Sequence, residues 1–442
     1  MQISKKNLKH DIYYNYFWSL KRKKKSFTGV DIKKFKEKII LFSKENNNSI
    51  FLNSNNNPKS YDFIFAYGQK SHIVSSFNSL EKLDEFIEKT NDWIFGFLSY
   101  ELKNEIENLE SHNQVTHTIP NLYFFQPTTV ILVKKGVVNV LCIPSFNPDL
   151  EFNQILNYKN TQKTETINKN LIQRFEEKEY INTIKKIKER IKLGDIYELN
   201  FCIDYYAKNI NIDPYQSYNN LNSLTESPMS VFFKYNSLYV ISSSPERFIK
   251  RNNNKITTAP IKGTIRKNRI RHEDLKNISY LKNNSKELSE NHMIVDLVRN
   301  DLSKIACKGS VKVKELASLY SFKNVHQLIS SVEAKIKEST KFSEILKSSF
   351  PMGSMTGAPK IKSMELIDEF EKTQRGIYSG SIGYISPSKN FDFNVVIRSI
   401  IYDSENNSLN INVGSAITFA SDPENEYEEC KLKAEAMINS LK

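Results

Sequence analysis

The chain is poor in cysteine. Its four, Cys142, Cys202, Cys307 and Cys430, stand far apart and include no C-x-x-C pair. That spacing suggests neither a zinc site nor a disulfide framework, and isolated cysteines usually serve as small core residues. No uncharged apolar run approaches the length of a membrane span. The opening residues Met1-Gln2-Ile3-Ser4-Lys5-Lys6 lack the apolar segment of a signal peptide. There is no internal repeat, and the G-x-x-x-x-G-K-[ST] spacing of a Walker A loop fails in the glycine-containing stretch 353–360. A cytoplasmic, soluble protein is the simplest expectation.

What is present points to a large core and an anionic ligand. Of 442 residues 39% are hydrophobic, with 27 Phe and 22 Tyr, enough for one large domain or two to three ordinary ones. The 63 Lys+Arg against 50 Asp+Glu leave a charge of +13, which favours acidic partners or anionic substrates. The basic run Lys21-Arg22-Lys23-Lys24-Lys25 reads as a nucleic-acid patch or as a solvated loop, and it has no aromatic residues arranged for base stacking.

Strand-like segments occupy 63–67, 93–100 and 129–133, the last forming a hairpin with 137–141. A polar stretch over 147–173 is the best linker candidate, dividing an N-terminal region, 1–150, from a second region, 175–442. In the latter the spacing predicts helices over 178–193, 285–302, 343–349, 360–371 and 424–441. Strands are expected over 197–203, 230–233, 238–242, 255–265, 380–385, 391–402 and 409–413. Long strand pairs mixed with helices, without regular βαβ alternation, indicate an α+β fold.

Several constellations could carry chemistry. Lys262 lies in a strand-like run between Pro260 and Gly263. It is either an edge-strand lysine that discourages aggregation or an amine held in a pocket, where burial would lower its pKa and leave it nucleophilic. Two predicted helices carry glutamates three apart, Glu287 with Glu290 and Glu426 with Glu429. Each pair shares a helix face. They are surface residues or, converging, a site for a hard divalent cation such as Mg²⁺. The turn Phe350 to Lys360, with Thr356 and Gly357 as candidate substrate contacts, is a plain helix entry or a cradle of backbone amides for an anion, a carboxylate rather than a nucleotide phosphate. The small-residue run Val413-Gly414-Ser415-Ala416-Ile417 is a tight turn or another such cradle. Arg398, in an apolar run, needs a carboxylate from the protein or a ligand. Glu246 is a general acid or the partner of Arg247.

Taken in order, these motifs resemble the chorismate-utilising enzymes, the family of anthranilate, aminodeoxychorismate, isochorismate and salicylate synthases. The resemblance covers nearly all of 175–440. It is carried by Gly194-Asp195-Ile196-Tyr197, Ser244-Pro245-Glu246-Arg247, Pro260-Ile261-Lys262-Gly263-Thr264, Glu290 to Leu297, Arg299 to Leu302, Gly353 to Lys360, Tyr378 to Gly383 and Ser421-Asp422-Pro423. A weaker match lies at Phe95 to Tyr100. The resemblance implies a large, mainly antiparallel β-sandwich core flanked by helices. Within the family Lys262 discriminates, because the anthranilate branch has Ala there, whereas the lysine form is similar to the aminodeoxychorismate branch. That branch aminates chorismate, a transferase-type reaction leading to 4-aminobenzoate and folate.

The resemblance further implies that Lys262 attacks ring C2 while the C4 hydroxyl leaves with help from Glu246. Ammonia then attacks C4 and expels the lysine. Mg²⁺ on Glu287, Glu290, Glu426 and Glu429 would bind the ring carboxylate. Tyr378, Arg398 and the backbone of Gly414 and Ala416 would hold the enolpyruvyl side, with Lys433 nearby. Glu198 stands where many relatives have Gln and the isochorismate formers have Lys, and Gln327 stands where relatives commonly have His. No Leu-Leu-Glu-Ser tryptophan motif and no amidotransferase segment is visible. The expectation is a synthase that draws ammonia from a separate glutamine amidotransferase subunit. Two alternatives stay open, anthranilate synthesis and a basic nucleic-acid-binding protein with an enzyme-like fold.

Overall fold

The structure, a computed structural model, describes residues 21–55, 61–159 and 171–442. The signal-peptide reading at 1–6 and the middle of the linker candidate, 160–170, fall outside them.

Two large antiparallel sheets dominate the described residues. In the first, the N-terminal strands Phe63–Tyr67 and Asn48–Asn53 lead, through pairing of Asn48–Asn53 with Met229–Tyr235, to Leu238–Ser244, Ser399–Asp403, Ser408–Thr418 and Glu198–Lys208. In the second, Ile94–Leu98 pairs with Ser381–Ile385, and the far flank is built from Arg247–Asn252, Lys255–Ala259, Val325–Lys335 and Ile261–Arg266. Among the described residues, the stretch before residue 150 forms no sheet of its own. It supplies one flank of each of the two.

The strands are apolar on both sides because the first sheet is covered on both faces. Successive side chains of a strand alternate faces. In Phe63–Tyr67, Ile64 and Ala66 join Phe97 and Val231 in the core between the sheets, while Phe63, Phe65 and Tyr67 meet Ile39 and Phe152 beneath the outer helices. The helix Glu177–Lys192 covers the same outer face with Ile184 and Ile187, fully buried as its helical stripe predicts. Cys142, Cys202 and Cys430 are buried and Cys307 is exposed.

Several local expectations change. The basic run is solvated but is not a loop, since Lys23–Phe27 is an exposed edge strand on Val137–Cys142, and the Arg22 side chain is buried against Asp92 at 2.8 Å. Part of the linker candidate is the helix Pro148–Asn157, capped by Asn147. The expected strand 391–402 is two: Phe391–Asn394 belongs to the second sheet and Ser399–Asp403 to the first. The run 413–417 is not a turn but the interior of Ser408–Thr418, laddered to Glu198–Lys208. The strand 255–265 is interrupted at Pro260, which has no N–H for the ladder. Its continuation, Ile261–Arg266, carries an irregularity between Ile261 and Thr264.

Candidate active site

Two chain segments pass from one sheet to the other side by side. One runs from Leu238–Ser244 to Arg247–Asn252 through Glu246, the other from Phe391–Asn394 to Ser399–Asp403 through Arg398. They are tied by the Val395 amide, which donates to the Glu246 carbonyl at 3.0 Å, and the Ser379 amide donates to the Val396 carbonyl at 2.9 Å. A cavity of about 130 Å³ opens at this junction. Lys262, Glu246, Tyr378, Arg398, Gly414, Ala416, Lys433 and all four glutamates, Glu287, Glu290, Glu426 and Glu429, line it. Thr356 and Gly357 do not. The Thr356 hydroxyl turns back to the Met352 carbonyl, and Gly357 pairs with Leu199 so closely that a Cβ there would lie 2.1 Å from the Glu198 carbonyl oxygen. Gly357 therefore serves strand packing, whereas Ser354 and Met355 of the same turn do line the cavity.

Lys262 enters from the irregular strand, where Gly263 at φ +93° takes a left-handed conformation that favours glycine. Such an irregularity re-aims the neighbouring side chain. The ammonium is buried and donates to Glu198 Oε1 at 2.6 Å. Burial pulls its pKa down, but the charges of Glu198, Glu290 and Glu246 outweigh burial and hold it above the ordinary lysine range. The expectation that burial alone would leave this amine neutral is thus corrected: three carboxylates keep the resting lysine charged. Glu246 behaves in the opposite way. Burial pushes its pKa to about 7 against the opposing pull of the Ser354 hydroxyl, which donates to Oε1 at 2.7 Å, and of Lys262.

Glu287 and Glu290 project from the helix Ser285–Ser303, whose Asn284 cap accepts from the Glu287 amide. Burial raises Glu287, and it raises Glu290 to about 8. The buried Oε1 of Glu290 has no hydrogen-bond partner. Glu426 and Glu429, on Pro423–Asn439, are held by lysines: Lys286 reaches Glu426 at 2.7 Å and Lys433 reaches Glu429 at 2.5 Å. With those lysines interleaved, no three acidic, His or Cys side chains among the described residues stand close enough to hold a metal ion as they are.

Arg398, at φ +54°, donates to the Lys433 carbonyl of the helix Pro423–Asn439 at 3.2 Å and makes no ion pair within 4.0 Å among the described residues. Burial pulls its pKa down. Its guanidinium is available to an incoming carboxylate. The buried Tyr378 hydroxyl accepts from the Cys202 thiol at 3.7 Å. A Cβ on Gly414 would sit 2.6 Å from Cys202 Sγ, so the glycine is required by the facing strand. The Gly414 carbonyl accepts from Lys433 Nζ at 2.8 Å.

Sequence reasoning missed Lys286, Asn200, Asn412 and Ser354, which also line the cavity. It also missed the ion pair beneath them. Arg375 binds Glu371 at 2.6 Å and donates to the carbonyls of Met355 and Asn200 and to Ser379, clamping three walls together. The spacing four apart on the chain was a signal for that pair, and Ser354 lies in the turn 350–360 read as a candidate cradle; nothing in the sequence marked Lys286, Asn200 or Asn412. Gln327 lines the cavity and donates to the Thr264 hydroxyl at 3.3 Å, whereas His326 turns away to Asp274 and Ser321.

The model of the chorismate binding enzyme family matches residues 17–439. The chain is 32% identical over 360 residues to aminodeoxychorismate synthase component 1 of Escherichia coli (strain K12), covering 78% of this chain and 76% of that one. It is 40% identical over 261 residues to the probable chloroplastic aminodeoxychorismate synthase of Oryza sativa subsp. japonica, covering 58% of this chain and 29% of the plant protein, under a third of its length. Among solved structures, anthranilate synthase component I from Streptococcus pneumoniae TIGR4 superposes with a TM-score of 0.74 at 24% identity, over 85% of this chain and 91% of that one, a likeness of fold.

Proposed function

The chain belongs to the chorismate binding enzyme family, and we propose that within it the chain catalyses the component 1 reaction of aminodeoxychorismate synthase, replacing the C4 hydroxyl of chorismate with ammonia. The observation that carries this reading is Lys262, brought into the same cavity as Glu246 by the irregular strand. In the anthranilate branch the resemblance places Ala at that position.

The residues divide the work. Lys262, once neutral, attacks ring C2. Glu246, with a pKa of about 7, is partly protonated near neutrality and can give its proton to the departing C4 oxygen. Arg398 and Lys433 offer positive charge to the side-chain carboxylate of the substrate. Ammonia then attacks C4 and the lysine leaves. A glutamine amidotransferase subunit is the proposed source of that ammonia.

A divalent cation fits this site by kind. Glu290 Oε1, which accepts no hydrogen bond and lies 3.8 Å from Lys286 Nζ, its raised pKa and three further carboxylates make an oxygen donor set, once Lys286 and Lys433 release the carboxylates they hold. Glu287, Glu290, Glu426 and Glu429 would hold Mg²⁺, which when bound supplies charge neutralisation for the ring carboxylate.

The test is incubation of the chain with chorismate, Mg²⁺ and an ammonium salt, followed by product mass. Aminodeoxychorismate, which keeps the enolpyruvyl ether, is expected. Fluorescent anthranilate would assign the other branch. No product with ammonia would refute the reading.

A further inference from the structure

We infer that Glu198 is the base that takes a proton from Lys262 before attack and returns it when the lysine is expelled. This rests on the covalent reading above. A nucleophilic amine must be neutral, yet the resting lysine is charged. Its Nζ donates to one atom, Glu198 Oε1, at 2.6 Å. Glu198 is wholly buried, and its strand position is fixed between Thr418 and Ala358. Its second oxygen, Oε2, is buried without a hydrogen-bond partner. A carboxylate kept for packing alone would have both oxygens satisfied. The other charged groups facing Lys262 have other tasks. Glu246, from the crossing segment, has to keep its proton for the C4 oxygen, and Glu287 and Glu290, from the helix, belong to the cation set with Lys286 beyond them.

The steps balance. Lys262 ammonium gives one proton to Glu198 Oε1. The amine lone pair forms the N–C2 bond, the ring's two double bonds shift, and the C4–O bond breaks to release water carrying the Glu246 proton. Ammonia next forms the C4–N bond while the C2–N bond breaks and its electron pair returns to the lysine. Glu198 then reprotonates the freed amine, and Glu246 recovers its proton from the new C4 ammonium. The net change is chorismate plus ammonia to aminodeoxychorismate plus water.

The test is the single-turnover rate of Lys262 adduct formation, followed by mass with chorismate and Mg²⁺ but no ammonia, across pH in wild type, Glu198→Gln and Glu198→Asp. Gln keeps the size and accepts the hydrogen bond but cannot take a proton. Its lysine has to lose the proton to water, so the ratio of wild-type to Gln rates should fall about tenfold per pH unit as pH rises. The ratio cancels the shared need for protonated Glu246. Asp retains a base and should keep the wild-type profile at a lower rate. Parallel profiles for wild type and Gln would overturn the proposal, leaving Glu198 a positioning residue. Should the Gln variant not fold, the wild type alone decides: below the Glu246 pKa its rate should be flat, and a rise of about tenfold per unit there would overturn the proposal. Wild type that yields no aminodeoxychorismate with ammonia would overturn the functional reading itself, and this proposal with it.

Discussion

Two buried carboxylates of the cavity, Glu246 and Glu290, hold their protons at pH values where free glutamate has lost them, and each sets a separate expectation. Glu246 acts as an acid only while protonated. With its pKa raised to about 7, turnover should fall as pH rises through that value, and Glu246→Gln should lose about 10²–10⁴-fold in rate together with that limb of the pH profile. A steady-state rate profile checks both. For Glu290 the folded pKa of about 8 lies above the ordinary 4.5. Its contribution to stability is therefore full below the ordinary value and is lost as pH rises through the folded one. Without divalent cation, wild type should lose melting temperature over that window, Glu290→Gln should lose less, and Mg²⁺ should flatten the wild-type curve. Melting curves across pH show it, and turnover in excess chelator gives the companion readout. Undiminished activity there would rule out the metal.

At the scale of elements the site is made by irregularities. Pro260 interrupts a ladder, Gly263 bends it, and two segments change sheets around Glu246 and Arg398. Gly263→Ala should cost about 1–2 kcal/mol from the left-handed backbone alone, and its Cβ would meet Glu287 Oε2 at 3.2 Å. The expected outcome is a modestly lowered melting temperature with a much larger loss of adduct formation, as Lys262 is turned off its aim. Equal effects on both would say that the bend serves stability only. These same irregularities mark where sequence reading stopped. The helix over 178–193 was legible because one buried face, with Ile184 and Ile187, imposes a period, and the run 63–67 because burial on both faces leaves it apolar at every position. The break between Asn394 and Ser399 was not, since both sheets bury apolar side chains and the connecting Val395, Val396 and Ile397 are as apolar as the strands on either side. The four glutamates were legible as pairs on helix faces, and the cavity does gather them. Lys433 follows Glu429 by four residues on one helix, so that pair was legible, whereas Lys286 meets Glu426 across two helices and carries no such signal.

The whole molecule joins its N-terminal and C-terminal parts in both sheets, so the site rests on a continuous frame. Arg375 is the buried tie between its walls. Glu371→Gln leaves that guanidinium without its charge partner, which should cost about 3–5 kcal/mol. Denaturant unfolding monitored at equilibrium checks this, and a change under 1 kcal/mol would count against the tie. The central claim is that Lys262 becomes covalently attached to the substrate ring, and one measurement meets it most directly: intact and peptide mass of the chain mixed with chorismate and Mg²⁺ in the absence of ammonia. The account predicts a mass increase of chorismate less water on the peptide containing Lys262, absent in Lys262→Ala. If wild type shows no such increase while still making aminodeoxychorismate once ammonia is added, the covalent account is contradicted and Lys262 is left with an electrostatic part.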